Sequence, residues 1–196
     1  MIRARYVIPL GALAVAWALL AVAAEPPARQ YVGVKKCKMC HTSAHAGAQF
    51  KIWSESKHSH AYEVLATPRA LEVAKAESIE APQSSPECLK CHVTGYGEPP
   101  SHFADTLSVK DGVQCESCHG PGGDYWKRTV MKDLWTGKVK PEAFGLVLPT
   151  KETCAKCHNE HATGGKPVNF TADSTKIAHP IPKGAGAEAE EGGKGS

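Results

Sequence analysis

The sequence predicts a mainly α fold with extensive irregular loops, organised around something other than an ordinary apolar core. Three observations predict it. Helix-start signals recur, but each opens only a short run before glycine and proline interrupt it. Aromatic residues make up only 7% of the chain, thin for a core of this length. The pattern C-x-x-C-H occurs four times, at Cys37–His41, Cys88–His92, Cys115–His119 and Cys154–His158, and takes up all 8 cysteines. The intervals between copies are uneven, which excludes a solenoid of fixed period.

C-x-x-C-H is the attachment signal for c-type haem: two thiols bond the porphyrin edge and the adjacent imidazole becomes an axial iron ligand. A disulfide framework would suit an even cysteine count but gives no reason for a histidine after every second cysteine. Zinc ribbons pair C-x-x-C motifs and need nothing in particular at the next position. Thioredoxin-like chemistry uses a single C-x-x-C inside a βαβ pattern, absent from this sequence. The reading is therefore a small multihaem cytochrome fold wrapped around four covalently attached haems. Cys37, Cys40, Cys88, Cys91, Cys115, Cys118, Cys154 and Cys157 are the attachment points, and His41, His92, His119 and His158 the proximal iron ligands. Porphyrins then supply the apolar bulk that the side chains lack, and folding depends on haem.

In chain order, Arg3 and Arg5, the apolar run from Tyr6 to Leu20 and the small residues AVAA read as a secretory signal peptide over 1–23, cut after Ala23 or Ala24. Retained, the uncharged run would instead be a membrane anchor. Export places the chain in the periplasm, on the side of the membrane where c-type haem is attached and cysteines otherwise oxidise. A tetrahaem domain follows over 24–182, and the low-complexity KGAGAEAEEGGKGS over 183–196 reads as a disordered tail. Loss of Arg3 and Arg5 lowers the formal net charge from +3 to +1. That charge argues against nucleic-acid binding, which needs a strongly basic patch.

Between the first two motifs, Phe50 and Trp53 mark a helical stretch and the unbroken HAYEVL continues it. Thr67-Pro68 is an N-cap and N1 pair for PRALEVAKAE. SSP opens a helix into the second motif. Residues 93–114 are turn-rich, with FADTLSV a short strand or extended loop. DYWKRTVMKDLW carries apolar residues at roughly helical spacing, and Thr150 is an N-cap for KETCAKCHNE. After His119, Gly-Pro-Gly turns the chain away sharply, since a bulky residue there would crowd the porphyrin face or its neighbour.

Six histidines lie outside the motifs. His58, five residues after Trp53, is the best distal ligand, and His60 would point the other way from the same helix. His179, between Ile177 and Ile181 and before a Pro-x-Pro stretch, is the second candidate. His45 follows His41 too closely to do more than cover the first haem's edge. His161, three after His158, could not reach the far face of the same iron, and His102 sits in a flexible loop.

The first C-x-x-C-H followed by W-x4-H-x-x-A, then CHVTGYG and above all VQCESCHGPG, resembles the tetrahaem cytochrome c-554 family, known from bacterial ammonia oxidation. The resemblance covers the mature chain to about residue 160, with His179 matching a C-terminal family histidine. It implies a mainly helical fold with closely stacked haem pairs, three haems bis-histidine and the second five-coordinate. Carried over, His58 serves the third haem, His179 the first, and His92 binds an iron with an open face. One feature departs: the family places a distal histidine for the fourth haem soon after CHGPG, and residues 120–157 contain none. Met131 lies in the corresponding region, where it is an axial ligand or a packing residue. Otherwise His102, His161 or nothing fills that position.

The expected function is transport of single electrons between exported redox proteins, with Lys35, Lys36 and Lys38 near the first motif available to steer an acidic partner. The alternatives are a small reductase acting on a nitrogen oxide or hydroxylamine at an open second haem, with Thr94, Tyr96 and Glu98 as nearby polar groups, or a subunit of a larger multihaem complex.

Overall fold

A computed structural model describes residues 28–160, 162 and 168–180. The signal segment, His161, Ile181 and the C-terminal tail lie outside these residues. Eight short α-helices follow one another among the described residues: α1 Val34–Lys38, α2 Gln49–Ser54, α3 Pro68–Ala76, α4 Pro86–His92, α5 Cys115–His119, α6 Arg128–Trp135, α7 Lys151–Ala155 and α8 Phe170–Asp173. Turns and single 3-10 turns join them. None of these helices is long and apolar enough to cross a membrane.

The expected helix starts appear where the residues demand them. Thr67 caps α3 by accepting the Ala70 N–H, with Pro68 at the first helical position. Pro86 likewise stands at the first helical position of α4, where the Ser85 hydroxyl turns to the Glu87 carboxylate instead of capping the backbone. Thr150 and Thr153 form a reciprocal capping box on α7. Two expectations change. HAYEVL does not continue α2: residues 55–62 are turns and only Glu63–Ala66 form a 3-10 turn. FADTLSV makes no strand but gives one isolated bridge, Tyr31 with Phe103.

The centre of the molecule is the segment 30–34, threaded between two others. On one side Tyr31 donates to the His102 carbonyl at 2.7 Å and accepts from Ala104 at 2.9 Å. On the other, Gly123 donates to the Gln30 carbonyl at 2.8 Å. Val32, Val34 and Tyr125 are buried around this thread, and Ala61, Leu65, Ala74 and Val93 complete the buried apolar set among the described residues. Seven apolar side chains make a thin core for this chain length, as the low aromatic content predicts. Polar groups share the interior: Ser85, Thr94, Gln114 and Glu116 are all buried.

Candidate haem sites

Every C-x-x-C-H motif occupies a single helical turn. The second and third lie wholly within α4 and α5. The first and fourth begin in α1 and α7 and run past their ends, yet His41 still donates to the Cys37 carbonyl at 3.0 Å and His158 to that of Cys154 at 2.9 Å. Residues three and four apart on a helical turn share a face. Each motif therefore presents two thiols and an imidazole to the same side. No two of the eight cysteines are joined in a disulfide.

The motifs are brought together through their cysteines. α1 packs on α5, and the thiols of Cys37 and Cys115 touch. That contact, with burial, pushes the Cys37 thiol far above its ordinary value. The thiols of Cys157 and Cys91 also touch; burial first and Cys91 second push Cys157 up to about 12. The first motif thus meets the third and the second meets the fourth, while Cys118 of the third also lies near Cys154 and Cys157 of the fourth.

The histidines follow a pattern suited to iron. His92 donates from Nδ1 to the Ala61 carbonyl at 2.5 Å, and His119 from Nδ1 to the Val147 carbonyl at 3.0 Å. Such a bond fixes the tautomer and leaves Nε2 bare for a metal. The His58 ring stands 6.0 Å from that of His158, and His179 stands 5.8 Å from His119. Two imidazoles sharing one metal ion, each nitrogen ~2 Å from it, have centroids about 6 Å apart. Burial holds His58, His119 and His179 below the usual imidazole range, so they are neutral at pH 7, the form that ligates. The Nδ1 atoms of His41 and His179 are buried without a hydrogen-bond partner. Among the described residues no three or more His, Cys, Asp or Glu gather to hold a bare ion; two pairs of histidines, His58 with His158 and His119 with His179, suit axial ligation of a porphyrin iron.

The ring neighbours of His58 and His179 are His158 and His119, of the fourth and third motifs, whereas the family resemblance implies the third haem for His58 and the first for His179. His58 belongs to the turns after α2, where its carbonyl accepts the Val113 N–H at 3.0 Å. Its backbone is tied to the strand of chain entering the third motif while its ring faces the fourth. His179 has His119 as its ring neighbour, with His41 the next group to influence it. Both ring contacts join distant segments, so neither can be read from the sequence. The remaining candidates are placed elsewhere. His60 is exposed and bonded to Glu63 at 3.0 Å, and His102 is bonded to Glu98 at 2.8 Å. His45 is exposed, and Met131 is half-buried on α6.

The turn after the third motif has a specific cause. Gly120 has φ 76° and ψ 169°, a conformation nearly confined to glycine. A Cβ there would sit 2.6 Å from the Gly145 carbonyl oxygen. The crowding neighbour is thus the chain's own 145–147 segment, which also accepts the His119 ring N–H.

Comparisons with known proteins agree with this architecture. Residues 36–120 match the family described as cytochrome c554 and c-prime. Over 155 residues the chain is 31% identical to cytochrome c-554 of Nitrosomonas europaea, an alignment covering 70% of this chain and 60% of that protein. The chain thus spans about 60% of the length of that relative. The fold matches the reduced-state structure of cytochrome c554 from Nitrosomonas europaea with a TM-score of 0.51 at 23% identity, covering 76% of this chain and 78% of that one. Eight cysteines in four haem-attachment motifs provide for four covalently bound c-type haems. The chain is thus similar in sequence and fold to cytochrome c-554.

Proposed function

We propose that this protein is an exported tetrahaem carrier of single electrons, passing them between redox partners without substrate chemistry of its own. The observation that carries this reading is the gathering of all four motifs through their cysteines, Cys37 against Cys115, Cys91 against Cys157 and Cys118 beside Cys154. Bound haem supplies a one-electron Fe(III)/Fe(II) couple. The eight cysteines would hold the four groups, with His41, His92, His119 and His158 as proximal ligands. His58 would face His158 on the fourth iron and His179 would face His119 on the third. The mature domain would run over 24–182 after removal of 1–23, in the periplasm, with 183–196 as a tail.

The chain's own contribution is rigidity and access. Covalent anchoring and the Nδ1–H bonds of His92 and His119 hold the ligands in one orientation, which keeps the rearrangement accompanying each electron small. Lys35 is exposed, whereas Lys36 lies over the Trp126 ring at 4.6 Å and Lys38 over Phe50 at 4.8 Å. The lysines thereby keep their charge beside the first motif in fixed places, where they would steer an acidic partner.

One observation favours a second reading, a reductase at an open second haem. A cavity of about 320 Å³ adjoins the second motif, lined by residues 93–98 with Phe103, Leu107 and Val109. Its polar groups are largely engaged, however. The Thr94 hydroxyl bonds Ser117 at 2.8 Å and accepts the Gln114 N–H at 2.7 Å, and Glu98 holds His102. Turnover assays of the chemically reduced holoprotein with nitric oxide, nitrite and hydroxylamine separate the two. The carrier reading expects no turnover of nitric oxide, nitrite or hydroxylamine, whether or not one iron is high-spin. Sustained turnover would overturn it.

A further inference from the structure

Three successive backbone N–H groups lead into the first motif, and all three are taken up by two side chains of the third. Val32 and Gly33 donate to the Glu116 carboxylate at 2.8 and 2.7 Å, and Val34 donates to the Gln114 side-chain oxygen at 2.7 Å. Glu116 accepts one more N–H, from Gly122 of the Gly-Pro-Gly turn, at 2.6 Å. The Gln114 amide nitrogen donates to the Ser108 carbonyl at 2.9 Å. Both side chains are almost completely buried, at 1% and 2% exposure.

Val34 is the first residue of α1, and the residue before it, Gly33, has no side chain with which to cap the helix. The orphan N–H groups of a buried helix start need partners from elsewhere. They find them on either side of Cys115. The helix that carries Cys37 is thus capped by the residues flanking a cysteine about eighty positions away. The residue types suit this role. A carboxylate has the lone pairs for three N–H donors, and a primary amide can accept from one segment while donating to another.

We propose that Gln114 and Glu116 are positioning residues that lock the first haem site against the third and so set the coupling between those two irons. The inference rests on the reading of the first and third motifs as adjacent haem sites in an electron carrier. Neither side chain need touch a haem. Each acts through the backbone of residues 32–34 and 122, and the second and fourth sites, which show no such clamp among the described residues, serve as an internal reference.

The test uses full-length holoprotein with Glu116→Ala, Glu116→Gln and Gln114→Ala, each weighed for covalent haem and then followed by electron paramagnetic resonance during a redox titration. In Glu116, one oxygen serves Val32 and Gly122 and the other serves Gly33. Glutamine keeps an acceptor for the first two and turns an N–H₂ group toward the third. The expected result is four haems in each variant and loss of magnetic interaction in one haem pair. The loss should be largest for Glu116→Ala, smaller for Glu116→Gln and Gln114→Ala, and absent in the other pair. Four haems with both interactions as in the unsubstituted protein would overturn the proposal. So would a loss shared equally by both pairs, which marks a general loosening. If Glu116→Ala loads fewer haems, the two milder variants decide by the same criterion. Fewer than four haems in the unsubstituted protein would instead overturn the tetrahaem reading itself.

Discussion

The third and fourth motifs have the same pattern and the same helical turn, yet they are held in opposite ways. Around the third, the chain is woven on both sides of the cysteines: Gln114 and Glu116 grip residues 32–34, Tyr125 donates its hydroxyl to the Gly120 carbonyl at 2.6 Å, and His119 donates to Val147. Around the fourth, the ties are local. The capping box of Thr150 and Thr153 lies within its own turn, His158 is exposed, and distant segments are reached through side chains, the ring of His58 and the Cys91 and Cys118 thiols beside Cys157. Both motifs carry the same attachment chemistry, so that chemistry does not require the weave. The weave belongs to the fold: the third site is where the first motif, the Gly-Pro-Gly turn and the 145–147 segment meet.

Substitutions that enter one region and not the other break this comparison most sharply. Gly120→Ala should have the largest effect, because it places a side chain in a glycine-only conformation and against a backbone oxygen. A loss of about 3 kcal/mol or more is expected, read by denaturant unfolding of the holoprotein. Gly137, also at positive φ (67°) but with nothing within 4 Å of where a Cβ would stand, is the control. Gly137→Ala should cost only about 1–2 kcal/mol. Equal losses at the two glycines would mean that the weave around the third motif contributes nothing.

His58→Ala sharpens the other side. It should convert one low-spin haem to high-spin while all four stay covalently attached, as read by electron paramagnetic resonance and mass. The signal lost should be that of the fourth haem, which His158→Met would shift in the unsubstituted background. An unchanged spectrum would remove His58 from the ligand set, and a change at the third haem would restore the pairing that the family resemblance implies. The smallest effect is expected at the local ties. Thr150→Ala should cost about 1 kcal/mol by removing a cap, with spectra of the first and third haems unaltered.

Local chemistry was the legible part of the chain. Thr67-Pro68, Ser85-Pro86 and Thr150 announce their helices because a cap and its helix are neighbours in sequence. The four haem motifs are legible for the same reason, since all their donors fall within one turn. His58 could be singled out from its place after Trp53, although it lies in turns and not on a helix. Its ring partner could not, because the contact with His158 joins segments that only the fold brings together. Gln114 and Glu116 were visible only as parts of a family-like string. Their caps on residues 32–34 depend on the threading of the N-terminal segment, which no periodicity encodes. The reason for Gly120 was half legible: a sharp exit was required, but the obstacle proved to be the Gly145 carbonyl.

The most direct measurement is a stoichiometric reductive titration of the oxidised holoprotein, followed by haem absorbance. Four covalently held haems in an electron carrier predict uptake of four electrons per chain and then no further consumption, with full recovery on reoxidation. Fewer than four electrons, or continued consumption of reductant with nitrite or hydroxylamine present, would contradict the account.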